Sequence, residues 1–183
     1  MSKVNKEKEN YIISEININD DNIDKDIRII NSFENYKREW NLKDKEDDYK
    51  YENEKEIKDN CEIEINDKII DFAYYYKFKT KGNYIIKYSF LNKLKKINHM
   101  FRGCNYINKL NLSNFNTQNV TNMEYMFDGC KSLNDLDLSN FNTQNAINME
   151  FMFNKCNSLK SLNLSNFNTQ KLINMGYILF HIS

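Results

Sequence analysis

The 183-residue sequence has no proline, only four glycines and no net charge, because 26 basic residues balance 26 acidic ones. A chain without excess positive charge has no general attraction for nucleic acid or for an anionic membrane surface. No apolar run approaches the roughly 18–20 residues that a membrane-spanning helix needs. The N-terminus also lacks the apolar core of a signal peptide. These absences predict no nucleic-acid partner, no membrane insertion and a cytoplasmic location.

Cysteine is also scarce, with four residues in the chain. Without a secretion signal, four cysteines argue against a disulfide-stapled scaffold. The chain is 40% apolar and contains 12 Phe and 12 Tyr, which is enough to build a core. Only ten charged residues lie after residue 103. The sequence therefore predicts two regions that differ in composition and in structure.

The second region contains an internal repeat of 26 residues. Three residue types recur at this spacing: Met100, Met126 and Met152; Phe101, Phe127 and Phe153; Cys104, Cys130 and Cys156. The string Leu-Ser-Asn-Phe-Asn-Thr-Gln begins at Leu112, Leu138 and Leu164. One unit cannot bury its apolar face alone, so stacked units are expected to share a continuous core. The repeated phenylalanines at 115, 141 and 167 are expected to stack inside it.

Each unit divides into two halves with different apolar patterns. The first half fits the strand pattern L-x-x-L-x-L of leucine-rich repeats, with Leu133, Leu136 and Leu138. The second half places its apolar residues on one helical face, at Val120, Met123, Met126 and Phe127. Gly129 follows this half and is expected to take the left-handed conformation that ends a helix. The pattern predicts a short strand and a helical return in every unit.

Residues 122–143 read Asn-Met-x-x-Met-Phe-x-Gly-Cys-x-Ser-Leu-x-x-Leu-x-Leu-Ser-Asn-Phe-Asn-Thr. This unit resembles the BspA-like leucine-rich repeats, a 26-residue surface-protein repeat of bacteria and anaerobic protists. The resemblance covers residues 100–183 closely and residues 84–99 weakly. It implies a short right-handed leucine-rich repeat solenoid, with short parallel strands and helical or irregular returns. It also implies a surface or secreted protein that contacts host or matrix proteins.

The predicted fold class is α+β overall, with a small antiparallel β domain preceding the solenoid. Residues 1–10 are predicted to be a disordered tail, and residues 11–83 the β domain, with a charged insertion at 33–60. Residues 84–183 are predicted to form the solenoid, with 84–103 as a degenerate first unit and a truncated last unit. The β domain is expected to cover the open end of the first unit.

Strand-like apolar runs can be predicted from Tyr11 onward: Ile16 and Ile18 alternate with polar residues, and Ile27 to Ile30 form a second run. Residues 61–65 alternate and are followed by the polar turn Asn66-Asp67-Lys68. Residues 72–78 and 84–90 also alternate, and a glycine-containing turn separates them. These two runs predict a β-hairpin.

Motifs that carry chemistry are few. His99 and His181 lie at opposite ends of the repeat region, so they are not expected to share a catalytic site. The cysteines recur once per unit instead of in ligand pairs, and they are predicted to be inward-facing apolar residues. The stretch Asp20–Asp24 opens like a calcium loop, but Lys25 and Asn31 replace its required Gly and Glu. The sequence predicts no enzyme, no cofactor and no metal site.

The predicted site is the outward strand face of the repeats. Its partner-binding residues are predicted to be Lys109, Asn111, Ser113, Asp135, Asp137, Ser139, Ser161, Asn163 and Ser165. Asn and Ser both donate and accept hydrogen bonds, which suits a protein partner or a glycan.

Two functions stay open: an intracellular protein-binding scaffold, and a surface or secreted adhesin. A third, a catalytic or regulatory β domain with the repeats as a targeting arm, has no residue to support it. The last unit is incomplete, and three explanations stay open. The favoured one is that residues 177–182 fold over the uncapped rung; the others are end-to-end self-association through this rung, and a chain truncated from a longer repeat family.

Overall fold

The computed structural model describes residues 10–178, which contain eight strands and two short α-helices. The elements are β1 (Tyr11–Ile18), β2 (Asp26–Arg28), α1 (Phe33–Glu39), α2 (Glu54–Lys58), β3 (Cys61–Ile65), β4 (Lys68–Ile70), β5 (Tyr75–Lys77), β6 (Gly82–Phe90), β7 (Ile107–Asn111) and β8 (Asp135–Asp137). Nearly all of the predicted disordered tail lies outside the described residues. The end of the truncated last unit, residues 179–183, lies outside them as well.

Six strands form one mixed sheet in the order β4-β3-β6-β1-β7-β8. Pairing is antiparallel from β4 through β7, whereas β7 and β8 are parallel. Strand β1 shows why the sheet has two unlike faces, because Ile12, Ser14 and Ile16 are buried while Glu15 between them is exposed. Strands β2 and β5 form a separate two-stranded sheet.

The predicted hairpin between residues 72–78 and 84–90 is wrong. Strand β6 has β1 on one side and β3 on the other, so neither of its edges is free. Strand β5 pairs with β2 instead. The aromatic alternation in 72–78 reflects packing, since Phe78 is buried with its ring centroid 4.5 Å from that of Tyr84. The strand predicted at residues 61–65 is confirmed.

The 26-residue units stack on one another through backbone hydrogen bonds. Alternate N–H groups of one unit donate to carbonyls of the next at 2.9–3.0 Å: Met123 to Asn148, Tyr125 to Glu150, and Phe127 to Met152. The prediction of a helix in the second half of each unit is wrong. N–H groups that donate to the next unit are not available for the hydrogen bonds of a helix within their own unit. Successive turns replace the helix, with Gly129 at φ +75° as the expected left-handed residue.

The predicted leucine-rich repeat solenoid is wrong, because the described residues form a mixed β-sheet. Within residues 10–178, only two of the three closely matching units after residue 103 contribute strands: β7 from the first and β8 from the second. Strand β7 pairs with β1 of the N-terminal region, so the repeat strands complete the N-terminal sheet instead of forming a parallel sheet of their own. The leucine pattern specifies which side chains are buried, but it does not specify which strand lies beside them. Strand β6 crosses the proposed boundary at residues 83 and 84, and the division into domains stays a prediction.

The N-terminal region closes the first repeat unit. In the later units, three backbone carbonyls accept hydrogen bonds from the N–H groups of the preceding unit. The first unit has carbonyls at the equivalent positions, but it has no repeat unit before it. Here they accept from N-terminal groups: Asn98 from the Asn53 amide at 2.6 Å, Met100 from the Asn31 backbone at 2.7 Å, and Arg102 from the Arg28 guanidinium at 3.2 Å. These bonds satisfy buried backbone acceptors that would otherwise be costly. The N-terminal region therefore acts as a cap on the stack.

Aromatic columns run through the core of the stack. Phe127 is fully buried, and its ring stacks on Phe101 at 6.1 Å and on Phe153 at 5.5 Å. Phe141 stacks on Phe167 at 6.0 Å, as the repeat predicted. Phe115 instead lies 5.2 Å from Phe90 of β6.

The predicted end-to-end association stays a prediction. At the last described unit Met175 is 50% exposed, whereas the equivalent Met149, one unit earlier, is fully buried.

The cysteine column leads to a prediction about thiol reactivity. All four cysteines are free, and Cys104, Cys130 and Cys156 have no exposed surface. Burial raises the pKa of Cys104 and Cys156 to about 12, and it raises that of Cys130 as well. Because the thiolate is the reactive form, these thiols should resist a disulfide reagent in the folded chain and react fully in denaturant. Rapid reaction of three thiols without denaturant would contradict their placement.

Candidate interaction surface

One face of the six-stranded sheet packs on the core, and the opposite face, called here the outer face, is exposed. Its side chains come from alternate positions of each strand. They include Ile69 on β4, Glu62 and Glu64 on β3, Ile85 and Lys87 on β6, Tyr11, Ile13 and Glu15 on β1, Lys109 and Asn111 on β7, and Asp135 and Asp137 on β8. The outer face therefore includes N-terminal strands and repeat strands in one continuous surface.

Register brings charged residues of three strands side by side on the outer face. Glu15 lies opposite Lys109, and Lys109 lies opposite Asp135. The Lys109 Nζ is 3.6 Å from a Glu15 carboxylate oxygen, and both side chains are half exposed. An exposed pair of this kind contributes little stability. These charges are therefore available for contacts with another molecule.

Four of the nine predicted partner-binding residues lie on this face: Lys109, Asn111, Asp135 and Asp137. Ser113, Ser139 and Ser165 lie in the turns that follow. Ser161 and Asn163 belong to a stretch that forms no strand.

Part of the predicted polar pattern serves the fold. The Oδ1 atoms of Asn111, Asp137 and Asn163 accept from the backbone N–H two residues later, at 2.9, 2.9 and 3.0 Å. This is the bond of an Asx turn, which Asn and Asp form readily. The spacing Asn/Asp-x-Ser in each unit was a readable signal for such turns. Sequence reasoning interpreted it as a recognition surface instead.

The N-terminal half of the outer face was missed by sequence reasoning. Ile85 is 54% exposed and Ile69 is 61% exposed, although both lie in strands. The Lys87 Nζ lies 4.8 Å from the centre of the Tyr11 ring, a cation–π contact. Alternation within residues 11–18 and 82–90 indicates two-faced strands. It does not indicate that they share a sheet with the repeats.

A polar cluster joins the cap to the stack. The Arg102 guanidinium lies between the rings of Tyr36 and Tyr125, 3.8 and 4.3 Å from their centres. Its Nε donates to Asp128 Oδ2 at 2.8 Å, and its NH1 lies 2.9 Å from His99 Nε2. This arrangement fits an interlocking contact between two parts of the chain.

Neutral His99 fits this cluster. It is 2% exposed, and burial together with the nearby Arg102 charge holds its pKa well below the usual range. Among the described residues, its Nδ1 is one of two buried side-chain atoms without a hydrogen-bond partner; Asn154 Oδ1 is the other. His99 is therefore enclosed in the contact between the cap and the stack.

Two carboxylates at equivalent positions of adjacent units give a pH-dependent prediction. Burial, and then the neighbouring charge of Glu150, raises the pKa of Glu124 to about 7. In the unfolded chain a glutamate titrates near 4.3, so the folded state binds more protons between roughly pH 4 and 7. The free energy of unfolding should therefore fall as pH rises through this window because of Glu124.

Glu124→Gln removes this contribution. The variant should gain roughly 1–2 kcal/mol over the parent chain at pH 8 and little at pH 4, after allowance for solvent screening. Urea denaturation at the two pH values measures the difference. Glu46→Gln, at an exposed carboxylate, is the control and should show no such change. An equal effect of Glu124→Gln at both pH values would contradict the burial of this carboxylate.

Within residues 10–178, no group of three or more His, Cys, Asp or Glu side chains is placed to hold a metal ion. None of the helices there has the length and apolar character needed to cross a membrane.

Comparison with known protein families matches the second part of the chain. The profile of the family described as "Mycoplasma protein of unknown function, DUF285" matches residues 71–183. Neither the curated proteins nor the solved structures contain a match to the chain. The matched family differs from the BspA-like leucine-rich repeats, so the resemblance inferred from residues 122–143 assigned the wrong family. The match covers more than half of the sequence, and the chain belongs to the DUF285 family.

Proposed function

We propose that this chain is a non-enzymatic protein-interaction module that binds a protein partner through the outer face of its six-stranded sheet. A glycan is the second kind of ligand that the polar residues of this face would suit. The core occupies one side of the sheet, and the other side presents charged and aliphatic side chains over six strands. A surface of this kind on rigid strands is a suitable base for recognition.

One observation carries this proposal. An exposed row of charges crosses three strands of the outer face, at Glu15, Lys109 and Asp135. Strands β1 and β7 are distant in the sequence, and only the fold brings them together. Neither Glu15 nor Asp135 has a side-chain hydrogen bond to a backbone turn among the described residues. Their removal should therefore change recognition more than folding.

A capture experiment with a charge-swapped variant tests the proposal. The tagged parent chain and the double variant Lys109→Glu/Asp135→Lys are immobilised and incubated with a lysate of source cells. The double swap keeps the net charge and leaves Asp137 and its turn intact. Quantitative mass spectrometry should show a protein enriched on the parent chain and at least tenfold depleted on the variant.

The matched control is Asp47→Lys/Lys50→Glu, which reverses an exposed ion pair of 2.8 Å away from the outer face. The control should retain the captured protein. Far-ultraviolet circular dichroism and the urea midpoint show that both variants fold. Equal capture by all three chains would reject the outer face as the binding surface.

A cytoplasmic location is part of this proposal, and the four free cysteines support it because a reducing compartment keeps thiols unpaired. The alternative is a surface or secreted adhesin. Protease treatment of intact source cells, followed by mass spectrometry for peptides of residues 104–178, separates the two. Peptides released before lysis, with a cytosolic control protein intact, would favour the adhesin. Peptides seen only after lysis would favour the internal scaffold.

A further inference from the structure

The outer face carries a net negative charge, although the whole chain is neutral. Its strand residues include five carboxylates: Glu15, Glu62, Glu64, Asp135 and Asp137. They include two ammonium groups, Lys87 and Lys109. The complete chain has no net charge. The outer face is therefore acidic against a neutral background.

Both ammonium groups of the outer face already have favourable neighbours. Lys109 lies beside Glu15, and Lys87 lies over the Tyr11 ring. Within residues 10–178 the other four carboxylates, Glu62, Glu64, Asp135 and Asp137, form no ion pair, although Glu64 lies opposite Lys87 and Asp135 lies opposite Lys109. The field of the face is set by the excess of five carboxylates over two ammonium groups, and the carboxylates lie on strands at both sides of β1 and β6.

Aliphatic side chains lie among these charges. Ile85 and Ile69 are more than half exposed, and Ile13 between β6 and β7 is half-buried. Cross-strand register places Ile69 opposite Glu64, and Ile85 opposite Glu15. Such side chains on the solvent side of a sheet are an independent indication of a contact surface, because burying them would be favourable.

We propose that the partner of the outer face is a protein segment rich in Lys or Arg that also carries aliphatic side chains. This inference rests on the proposed function and specifies the chemistry of its ligand. The unpaired carboxylates attract the cationic side chains, and the exposed isoleucines bury the aliphatic ones. The same charge repels phosphate groups, so nucleic acid and anionic lipid are the wrong ligands for this face.

Two labelled decapeptides test the proposal directly. Both contain two Ile and two Ser residues, and the other six positions are Lys in one peptide and Glu in the other. Fluorescence anisotropy at 50 mM salt should give the Lys peptide at least tenfold tighter binding to the parent chain. Raising the salt to 300 mM should weaken that binding several-fold because the charges are screened. Absence of saturable binding of the Lys peptide would overturn the proposal.

A neutralised variant locates the binding. Glu62→Gln/Glu64→Gln/Asp135→Asn keeps side-chain size and should weaken binding of the Lys peptide at least tenfold. The control Asp21→Asn/Glu46→Gln/Glu52→Gln removes three exposed carboxylates elsewhere and should change it less than twofold. An equal loss in both variants would show general charge attraction and overturn the assignment.

The peptide test can fail while the proposed function holds. If the capture experiment identifies a partner that depends on Lys109 and Asp135, but the Lys peptide does not bind, then the face is functional and its ligand is not basic. If the Lys peptide binds at the outer face and no protein is captured, the basic chemistry holds and the proposed cellular role fails.

Discussion

Phe127→Ala is expected to lower the free energy of unfolding by about 3–5 kcal/mol. Phe127 is fully buried and is the middle ring of a stack that also contains Phe101 and Phe153. Its removal leaves a cavity that the neighbouring units cannot fill, because their backbones are tied together by the hydrogen bonds on either side. Urea denaturation followed by circular dichroism measures the change.

Two companion variants make the Phe127 result interpretable. Phe141→Ala should fall in the same range, because Phe141 is 1% exposed and stacks on Phe167. Tyr49→Ala, at a ring that is 61% exposed, should change stability by less than about 0.5 kcal/mol. A loss below about 1 kcal/mol for Phe127→Ala would mean that the ring is not in the core.

The second large effect is expected at the junction between the cap and the stack. Arg102→Ala should cost about 3–5 kcal/mol, because it leaves Asp128 buried without its charged partner. Asp128 is 6% exposed, and the Arg102 Nε is its 2.8 Å ion-pair donor. The variant also removes the guanidinium between Tyr36 and Tyr125. A double-mutant cycle with Asp128→Asn should show that the joint loss is smaller than the sum of the single losses.

The loss caused by Arg102→Ala should depend on pH. Burial already raises the pKa of Asp128, and Arg102 opposes that rise. Without Arg102 the folded-state pKa of Asp128 rises further above its unfolded value, so folding takes up a proton at mildly acidic pH. The free energy of unfolding of the variant should then decrease as pH rises.

Loss of the arginine charge also makes protonation of His99 less unfavourable, which acts in the same direction. The deficit relative to the parent chain should therefore be larger at pH 8 than at pH 5. Denaturation curves for both chains at the two pH values measure it. A deficit independent of pH would indicate that Asp128 is solvated.

The 26-residue period predicted the columns of the stack well. Equivalent residues such as Cys130 and Cys156 are buried one above the other, as their spacing implies. The same pattern gave the wrong conformation for the second half of each unit. Apolar residues at i, i+3 and i+4 indicate which side chains face inward, and a series of turns can satisfy them as well as a helix does. Hydrogen bonds to the next unit decide between the two, and they are not visible in the sequence of one unit.

The candidate site shows a similar limit. Lys109 and Asp135 could be placed on an outward strand face from their alternation with leucines. Their neighbour Glu15 could not, because it lies 94 positions before Lys109 and only the β1–β7 pairing joins them. Sequence periodicity describes each strand alone, whereas the composition of a surface depends on which strands are paired. The structure therefore shows more strands on this face than the sequence predicted. It also shows that the side chains of Asn111 and Asn163 stabilise turns.

The most direct measurement is hydroxyl-radical footprinting of the chain, free and in complex with the protein that it captures. In the free chain, Ile69, Ile85 and the exposed Trp40 should be oxidised, whereas the buried Ile86 should not. In the complex, Ile69 and Ile85 should lose most of their label while Trp40, which lies at the end of α1, keeps it. Loss of label at Trp40 with unchanged label at both isoleucines would contradict recognition through the outer face.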